Sequence, residues 1–348
     1  MYRVALAVIV ALGVTACSAP RPNPVAAYLA RTVPAGPGGT VIAARGDQLV
    51  HCAGFGFADR ERRIPATCDT VYDVMSITKQ FTAAAVLELE TMGKLRITDP
   101  IAVHLGPVPA DKRAITIHHL LTHTSGLVEG LGDDYDVLSR EQLIKQALAS
   151  KLTQGPDFQY SNLGYGLLAA IIEKVSGLGY EEFLAKHLFE PAGMTDTGYL
   201  LPRWPTDRVA VEYDAAGRSQ GRPMDHPWAD DGPHWNLRGS GGLLSTARDL
   251  FRWHRALLDD TVLPASTRTK LFTPHTAESY AYGWNVRTAP DGDRLAWHDG
   301  GNDWSLANYA RSLTDQTMSF WVTNQVTGPT WNFEALEPDL TLGVLDRV

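Results

Sequence analysis

Ser76 and Lys79 are two residues of this 348-residue chain whose types and spacing suggest chemistry. Residues 80–92 after them are rich in alanine and unbranched side chains and stop at Gly93, which predicts a helix with a left-handed end. Side chains three residues apart share a helix face, so the hydroxyl and the amine point the same way. A lysine kept neutral by burial activates a serine as a nucleophile. A helix N-cap serine beside a solvated lysine is the alternative for this tetrapeptide alone.

Tyr160 and Asn162 form a second pair, in a loop before a predicted helix over residues 163–176. A phenol relays a proton if a nearby lysine depresses its pKa, and an asparagine amide can hold a substrate carbonyl. An exposed aromatic followed by a helix-capping asparagine is the simpler interpretation of this pair in isolation.

His298, Gly300 and Gly301 end a predicted strand late in the chain. Glycines there let a substrate lie close along the strand edge. The Gly301 N–H is a candidate second donor to an oxyanion, and His298 is a candidate to orient or protonate a substrate group. The same His-x-Gly pattern occurs at residues 104–106 without a strand, so it is weak evidence by itself.

The order of the three motifs resembles that of the penicillin-recognising serine hydrolases, the group of class C β-lactamases, D-alanyl-D-alanine carboxypeptidases and family VIII esterases. Leu-Leu-Thr-His-Thr-Ser-Gly-Leu at residues 120–127 and the glycine-rich residues 239–246 match that group as well, and both are expected to be structural. The resemblance covers about residues 38–325.

The resemblance implies a mechanism. Ser76 attacks a carbonyl while Lys79 and Tyr160 share its proton, and which of the two is the first base stays open. The N–H groups of Ser76 and Gly301 hold the oxyanion, and Asn162, with His298 and Gly300, positions the substrate. Water then hydrolyses the acyl-enzyme with Tyr160 as the base. No cofactor or metal is required.

Asp299 departs from the Lys-Thr-Gly motif that β-lactamases carry on the late strand. An acidic side chain facing the cleft repels an anionic substrate and attracts an amine, whereas one facing away has no such effect. We therefore expect weak β-lactamase activity and cleavage of small esters or D-amino-acid peptides. The alternatives are a class C-type β-lactamase, a D-alanyl-D-alanine carboxypeptidase, or a non-catalytic lipoprotein that binds cell wall.

The first residues predict export and a lipid anchor on a bacterial membrane, facing the periplasm or the cell exterior. Residues 1–16 have the pattern of a signal peptide, and Val14-Thr15-Ala16-Cys17 resembles a lipobox. An ordinary signal peptide with an incidental Cys17 is the alternative. Residues 17–37 are interpreted as a lipidated tether. In an exported protein, Cys52 and Cys68 form a disulfide or remain as two buried thiols.

Strand patterns near both termini and helical patterns between them predict an α+β fold of the β-lactamase/transpeptidase type. One hydrolase domain is expected over residues 38–348, with a mostly helical lobe inserted at about residues 95–275. The net charge of -8 argues against a nucleic-acid partner. His118, His119 and His123 lack nearby carboxylate or cysteine ligands, so packing and capping roles are expected for them.

Overall fold

The computed structural model describes residues 23–153, 157–290 and 292–348. The predicted signal peptide over residues 1–16 and the predicted lipidation site Cys17 lie outside these residues. None of the helices in the described ranges combines the length and the apolar composition needed to cross a membrane.

The longer strands lie near the two ends of the chain, and most of the helices lie between them. The strands are β1 Gly39–Arg45, β2 Gln48–Phe55, β3 Phe57–Asp59, β4 Ile64–Pro65, β5 Val71–Asp73, β6 Glu212–Tyr213, β7 Ser219–Gly221, β8 Trp228–Ala229, β9 Gly232–Pro233, β10 Leu244–Thr246, β11 Asn285–Thr288, β12 Arg294–Gly301, β13 Leu306–Ser312, β14 Thr317–Thr323, β15 Thr327–Gly328 and β16 Trp331–Asn332. The α-helices are α1 Pro24–Thr32, α2 Thr78–Thr91, α3 Ile101–Leu105, α4 Ile117–Leu121, α5 Arg140–Ala149, α6 Asn162–Ser176, α7 Tyr180–Leu184, α8 Glu190–Ala192, α9 Ala247–Ala256, α10 Ala265–Leu271 and α11 Phe333–Leu345.

The main sheet has six strands in the order β11-β12-β13-β14-β1-β2. Every neighbouring pair in it is antiparallel. Strands β1 and β2 come from the N-terminal end and the other four from the C-terminal end, so the chain closes its sheet only after the helical segment between them is complete. The predicted α+β class, with one antiparallel sheet built from both chain ends, is confirmed.

Both faces of the central strands are covered. In β1, Ile42 and Ala44 belong to the large core that includes α2 and the helical lobe. Val41 and Ala43 face the other way, into a smaller core with residues of α1 and α11. Successive side chains of a strand point to opposite faces of the sheet, and here both faces are buried. This explains why consecutive residues of β1 are apolar instead of alternating with polar ones.

Helix α2 runs through the middle of the large core. Its residues from Thr78 to Leu87 are all buried, whatever side of the helix they lie on. An all-round buried helix needs small or apolar side chains, which the alanines of this segment supply. Phe81 packs against Phe189 and Trp253, with ring centroids 5.3 and 4.9 Å away. The helix that carries the predicted base, and that directly follows the predicted nucleophile, is therefore fixed on all sides.

The prediction of a tether over residues 17–37 is wrong for its described C-terminal part, because residues 24–32 form helix α1. The Asn23 side chain accepts hydrogen bonds from the N–H groups of Val25 and Ala26, and Pro24 occupies the first helical position. That combination is a helix start rather than a linker signal. Val25 is fully buried in the smaller core, so the folded domain begins before residue 38.

Helix α11 continues through Pro338, a residue expected to weaken it. The Asn332 side chain accepts a hydrogen bond from the Glu334 N–H and caps the start of the helix. Phe333, Leu340 and Val344 are buried against the outer face of the sheet. Tertiary packing of this apolar side therefore outweighs the loss of one helical hydrogen bond at the proline.

The sulfur atoms of Cys52 and Cys68 are bonded to each other, with a Cα–Cα distance of 6.0 Å. The bond joins edge strand β2 to the segment that precedes β5. Because β5 leads directly to Ser76, the disulfide ties the approach to the predicted nucleophile to the sheet.

Trp321 offers a test of the packing between the sheet and α11. Its side chain is fully buried, and its Nε1–H donates to the Thr341 hydroxyl at 2.8 Å. We expect Trp321→Ala to lower the free energy of unfolding by about 3–5 kcal/mol in chemical denaturation. Leu342→Ala, in the same helix at a position 42% exposed, is the control and is expected to change it by less than about 0.5 kcal/mol. Equal effects of the two substitutions would contradict this arrangement.

Candidate active site

Ser76 follows a sharp backbone turn at the end of β5. Met75 has φ +48°, a left-handed conformation that is unfavourable for a residue with a side chain. The buried Asp73 carboxyl accepts a hydrogen bond from the Met75 N–H at 2.6 Å and holds the turn. Burial raises the pKa of Asp73 well above its ordinary value, against the effect of its bonds to the Met75 and Gly242 N–H groups. The turn presents Ser76 at the start of the helical segment that becomes α2.

Lys79 lies one turn further along and is completely buried. Its Nζ donates to Ser76 Oγ at 3.0 Å and to the Ser240 carbonyl at 2.7 Å, so both of its hydrogen-bond partners are uncharged. Burial lowers the pKa of Lys79 to about 7, although the negative charges of Asp134, Asp299 and Glu129 act in the opposite direction. A large fraction of the amine is therefore neutral near pH 7 and able to accept the serine proton. The predicted pairing of hydroxyl and amine is present in the structure.

Tyr160 reaches the same place from the helical lobe. Lys79 Nζ sits over the ring of Tyr160, 4.7 Å from its centroid. Burial raises the pKa of Tyr160 above its ordinary value, and the hydrogen bond with Ser76 opposes this only in part. The depressed pKa that was the condition for proton relay by this phenol is therefore not found in the structure. Tyr160 is a neutral hydroxyl that can pass a proton on, rather than a ready phenolate.

His123 positions the loop that carries Tyr160 and Asn162. Its backbone is left-handed, with φ +58°, and its Nδ1 accepts a hydrogen bond from the Ser161 N–H at 3.0 Å. Its carbonyl accepts from the Gln159 N–H at 2.8 Å. The ring of His123 also lies 4.4 Å from the ring of Tyr160, centroid to centroid. This histidine, which belongs to the motif at residues 120–127, therefore fixes the position and orientation of the phenol. The expected packing and capping role for His123 matches these contacts.

His298 is buried on β12 and both of its ring nitrogens are engaged. Nδ1 lies 2.6 Å from the Asp299 carbonyl, and Nε2 lies 3.1 Å from the Tyr280 hydroxyl. A carbonyl only accepts, so Nδ1 carries the proton and donates it, while Nε2 accepts from Tyr280. Burial lowers the pKa of His298 to about 4, so the ring is neutral at pH 7. It is placed to orient groups in the cleft rather than to protonate a substrate.

Gly300 lets β12 approach the nucleophile. A Cβ at this position would lie 2.7 Å from the Val74 carbonyl oxygen and 2.9 Å from the Ser76 backbone nitrogen. These distances are shorter than any normal contact, so only glycine fits between the strand and the turn. Gly301, the last residue of β12, follows directly and lines the same cleft as Ser76. This geometry places the end of the strand beside the Ser76 N–H.

The cleft in front of Ser76 has a volume of about 680 Å³ and is acidic. Its wall includes Tyr160, Asn162, His298, Gly300 and Gly301, which are the residues that the motifs singled out. It also includes Glu129, Asp299, Glu334 and Glu337. No lysine or arginine is among the described residues that line it. Asp299 therefore borders the cleft. This was the condition under which its carboxylate is predicted to repel anionic substrates and attract amines.

A second cavity of about 780 Å³ shares Glu129, Asn162 and Gly301 with the first. It adds further carboxylates, at Asp133, Asp134, Asp136 and Asp303. Motif reasoning missed this acidic wall and the two glutamates of α11, because they belong to no motif and reach the cleft only through folding. It also missed Tyr280, and it did not show that the Ser240 carbonyl in the motif at residues 239–246 accepts from Lys79, because both roles depend on a hydrogen bond to a partner distant in sequence.

The Beta-lactamase family model matches residues 27–334 of the chain. The chain belongs to the Beta-lactamase family. It is 33% identical over 252 residues to PbpX of Bacillus subtilis, a provisionally named penicillin-binding protein, and this match covers 71% of the chain and 62% of PbpX. The chain therefore spans about three fifths of the length of the curated relatives that it matches.

Solved structures of penicillin-binding proteins share the fold. An octameric homologue from Pyrococcus abyssi superposes with a TM-score of 0.73 at 26% identity, covering 86% of this chain and 72% of that one. A penicillin-binding protein from Bacillus halodurans gives 0.73 at 27% identity, covering 86% of this chain and 95% of that one. These matches confirm the predicted resemblance to penicillin-recognising serine hydrolases and the β-lactamase/transpeptidase-like fold.

The close approach of β12 to Ser76 can be tested at Gly300. We expect Gly300→Ala to slow labelling of Ser76 by a fluorophosphonate about 10²-fold, since a displacement of about 1 Å in an active site has an effect of that order. Gly179→Ala is the control, because a Cβ there would meet no atom within 4 Å and its φ is -60°. A Gly300→Ala variant that labels at the rate of the control would contradict the packing described here.

Proposed function

We propose that this member of the Beta-lactamase family is a serine hydrolase that forms an acyl-enzyme on Ser76. The observation that carries the proposal is the fully buried Lys79, with its Nζ 3.0 Å from Ser76 Oγ and its pKa lowered to about 7. A binding protein has no need of a desolvated amine against a hydroxyl, and burying one is unfavourable. This arrangement favours catalysis over a non-catalytic wall-binding role.

The geometry favours Lys79 as the first base. Neutral Lys79 accepts the Ser76 proton as Oγ bonds to the substrate carbonyl carbon, and the N–H groups of Ser76 and Gly301 stabilise the oxyanion. The ammonium then returns a proton to the leaving group, with the neutral Tyr160 hydroxyl as the relay. Since the pKa of Tyr160 is raised by burial, a phenolate base would be rare. Asn162, on the wall of the cleft, is assigned to the substrate carbonyl.

The substrate class follows from the charge of the cleft. Asp299, Glu334, Glu337 and Glu129 line the space in front of Ser76. A carboxylate-bearing substrate such as a penicillin would enter against this field, whereas an amine-bearing ester or D-amino-acid amide would be attracted. We therefore propose small esters or D-amino-acid peptides with a free amine as substrates. β-Lactams and D-alanyl-D-alanine peptides carry a carboxylate, so β-lactamase and D-alanyl-D-alanine carboxypeptidase activities rank below the cleavage of amine-bearing substrates.

Export and lipid anchoring are proposed on the sequence of residues 1–17 alone. The disulfide between Cys52 and Cys68 suits an exported protein, since such bonds persist in oxidising compartments. Mass spectrometry of the N-terminal peptide from detergent-extracted protein tests the anchor, and an unmodified Cys17 thiol would exclude it.

The nucleophile and its base are tested together by fluorophosphonate labelling across pH 5.5–9. We expect the labelling rate to rise with pH through an apparent pKa near 7, because Lys79, with its pKa lowered to about 7, is the base only when neutral. Ser76→Ala should not label, and Lys79→Arg, which stays cationic, should label about 10²–10⁴-fold more slowly. Labelling of Ser76→Ala, or a rate independent of pH, would contradict the assignment.

The charge preference is tested with p-nitrophenyl esters of equal length that carry an ammonium, a neutral or a carboxylate group on the acyl chain. We expect kcat/KM to be highest for the ammonium ester and lowest for the carboxylate ester, by about tenfold or more at low salt. Asp299→Asn should narrow that gap. Nitrocefin and a D-alanyl-D-alanine peptide complete the panel, and efficient turnover of nitrocefin would show that the acidic cleft does not select against anions.

A further inference from the structure

A small cavity of about 40 Å³ lies beside Ser76. Its wall includes Ser76, Asp134, Asn162, Ser240 and Gly301, and it does not include Tyr160. A polar space of this volume holds at least one water, which needs about 10–15 Å³ and two to four polar partners. The cavity therefore provides a place for water next to the acyl-bearing oxygen.

Asp134 is the carboxylate of this cavity that is free to act. Within the described part of the chain, its side chain has no hydrogen-bond or ion-pair partner. Asp73, the other carboxyl group on the wall, is buried and already accepts N–H bonds from Met75 and Gly242. Asp134 also faces the larger acidic cavity, so water and protons can exchange with solvent.

The electrostatics of Asp134 suit a base. Partial burial of its carboxyl in the cleft raises the pKa of Asp134, although the residue as a whole stays exposed to solvent, and the negative charges of Asp133, Asp303 and Glu129 act in the same direction, while Lys79 opposes them. A raised pKa makes the carboxylate a stronger base than a freely solvated aspartate. Among the carboxylates that raise the pKa of Lys79, Asp134 has the largest effect, so its charge acts on the amine beside Ser76 without forming an ion pair with it.

We propose that Asp134 is the general base for hydrolysis of the Ser76 acyl-enzyme, acting on a water in the small cavity. This rests on the proposed acyl-enzyme and replaces Tyr160 as the deacylating base. The water oxygen bonds to the acyl carbonyl carbon as its proton passes to the Asp134 carboxylate. Asp134 then passes this proton through solvent to the neutral Lys79 amine, and the resulting ammonium protonates Oγ as the carbon–Oγ bond breaks. The carboxylic acid product leaves, and the Ser76 hydroxyl, the neutral Lys79 amine and the Asp134 carboxylate are restored.

The test separates acylation from deacylation. With a p-nitrophenyl ester, Asp134→Asn should keep the initial burst and the fluorophosphonate labelling of wild type, whereas its steady-state turnover should fall about 10²–10⁴-fold. Intact-protein mass spectrometry should then show the acyl adduct accumulating on Ser76. Asp133→Asn removes the same charge one residue away and should not accumulate the adduct. Asp134→Glu should keep most of the turnover.

Each other outcome overturns a defined part of the scheme. If Asp134→Asn turns over like wild type without an adduct, this inference fails and the proposed function stands. If wild type never acylates at Ser76, both fail. Should Asp134→Asn fold poorly, as judged by its circular dichroism, Asp134→Ala with added formate replaces it. Recovery of deacylation by formate supports the role of the carboxylate, and no recovery in a labelled, folded Asp134→Ala protein refutes it.

Discussion

The chemistry of this protein depends on one interaction, the burial of the Lys79 amine against the Ser76 hydroxyl without a carboxylate partner. Its bonds to Ser76 Oγ and the Ser240 carbonyl satisfy the amine as a donor but add no countercharge. Burial is therefore free to lower its pKa to about 7. An aspartate in place of the Ser240 carbonyl would hold the ammonium charged and remove the base, so the neutral surroundings of Lys79 matter as much as its distance from Ser76.

The rest of the fold can be understood as the means of keeping that pair in place. Helix α2 is buried on all sides, the left-handed turn at Met75 fixes the direction of Ser76, and Gly300 allows β12 to pass within contact distance of the Ser76 nitrogen. His123 holds the Tyr160 loop from the helical lobe. The segment formed by the Met75 turn and α2, strand β12 and the His123 loop are remote from one another in sequence, and the nucleophile lies where the three converge. Side chains held in this way by a second layer of contacts keep a catalytic geometry within a fraction of an ångström.

Local patterns in the sequence predicted the parts of the site that local geometry determines. The helical spacing of Ser76 and Lys79 and the strand end at Gly300 needed no long-range information. The raised pKa of Tyr160 could not be predicted from the sequence, because it depends on how much water reaches the phenol, and burial is a property of the whole fold. Helix α1 was interpreted as part of a tether because of the prolines and glycines of the surrounding segment, residues 18–37, although Asn23 and Pro24 form a helix start. Asp134 belongs to no motif, so only the cavity it borders draws attention to it.

The depressed pKa of Lys79 also means that this residue lowers the free energy of unfolding of the protein. The pKa of Lys79 falls from its ordinary value of 10.5 to about 7 on folding. Since a change of one in pKa corresponds to about 1.36 kcal/mol, this disfavours the folded state by about 5 kcal/mol below pH 7. The unfolded chain binds more protons in the window between those two values, so this unfavourable contribution shrinks as the pH rises from 7 towards 10.5. The well-packed core around α2 has to offset it. An apolar residue of similar volume would fill the same space without this unfavourable contribution, so a purely structural role does not account for a lysine here, whereas the need for a base at Ser76 does.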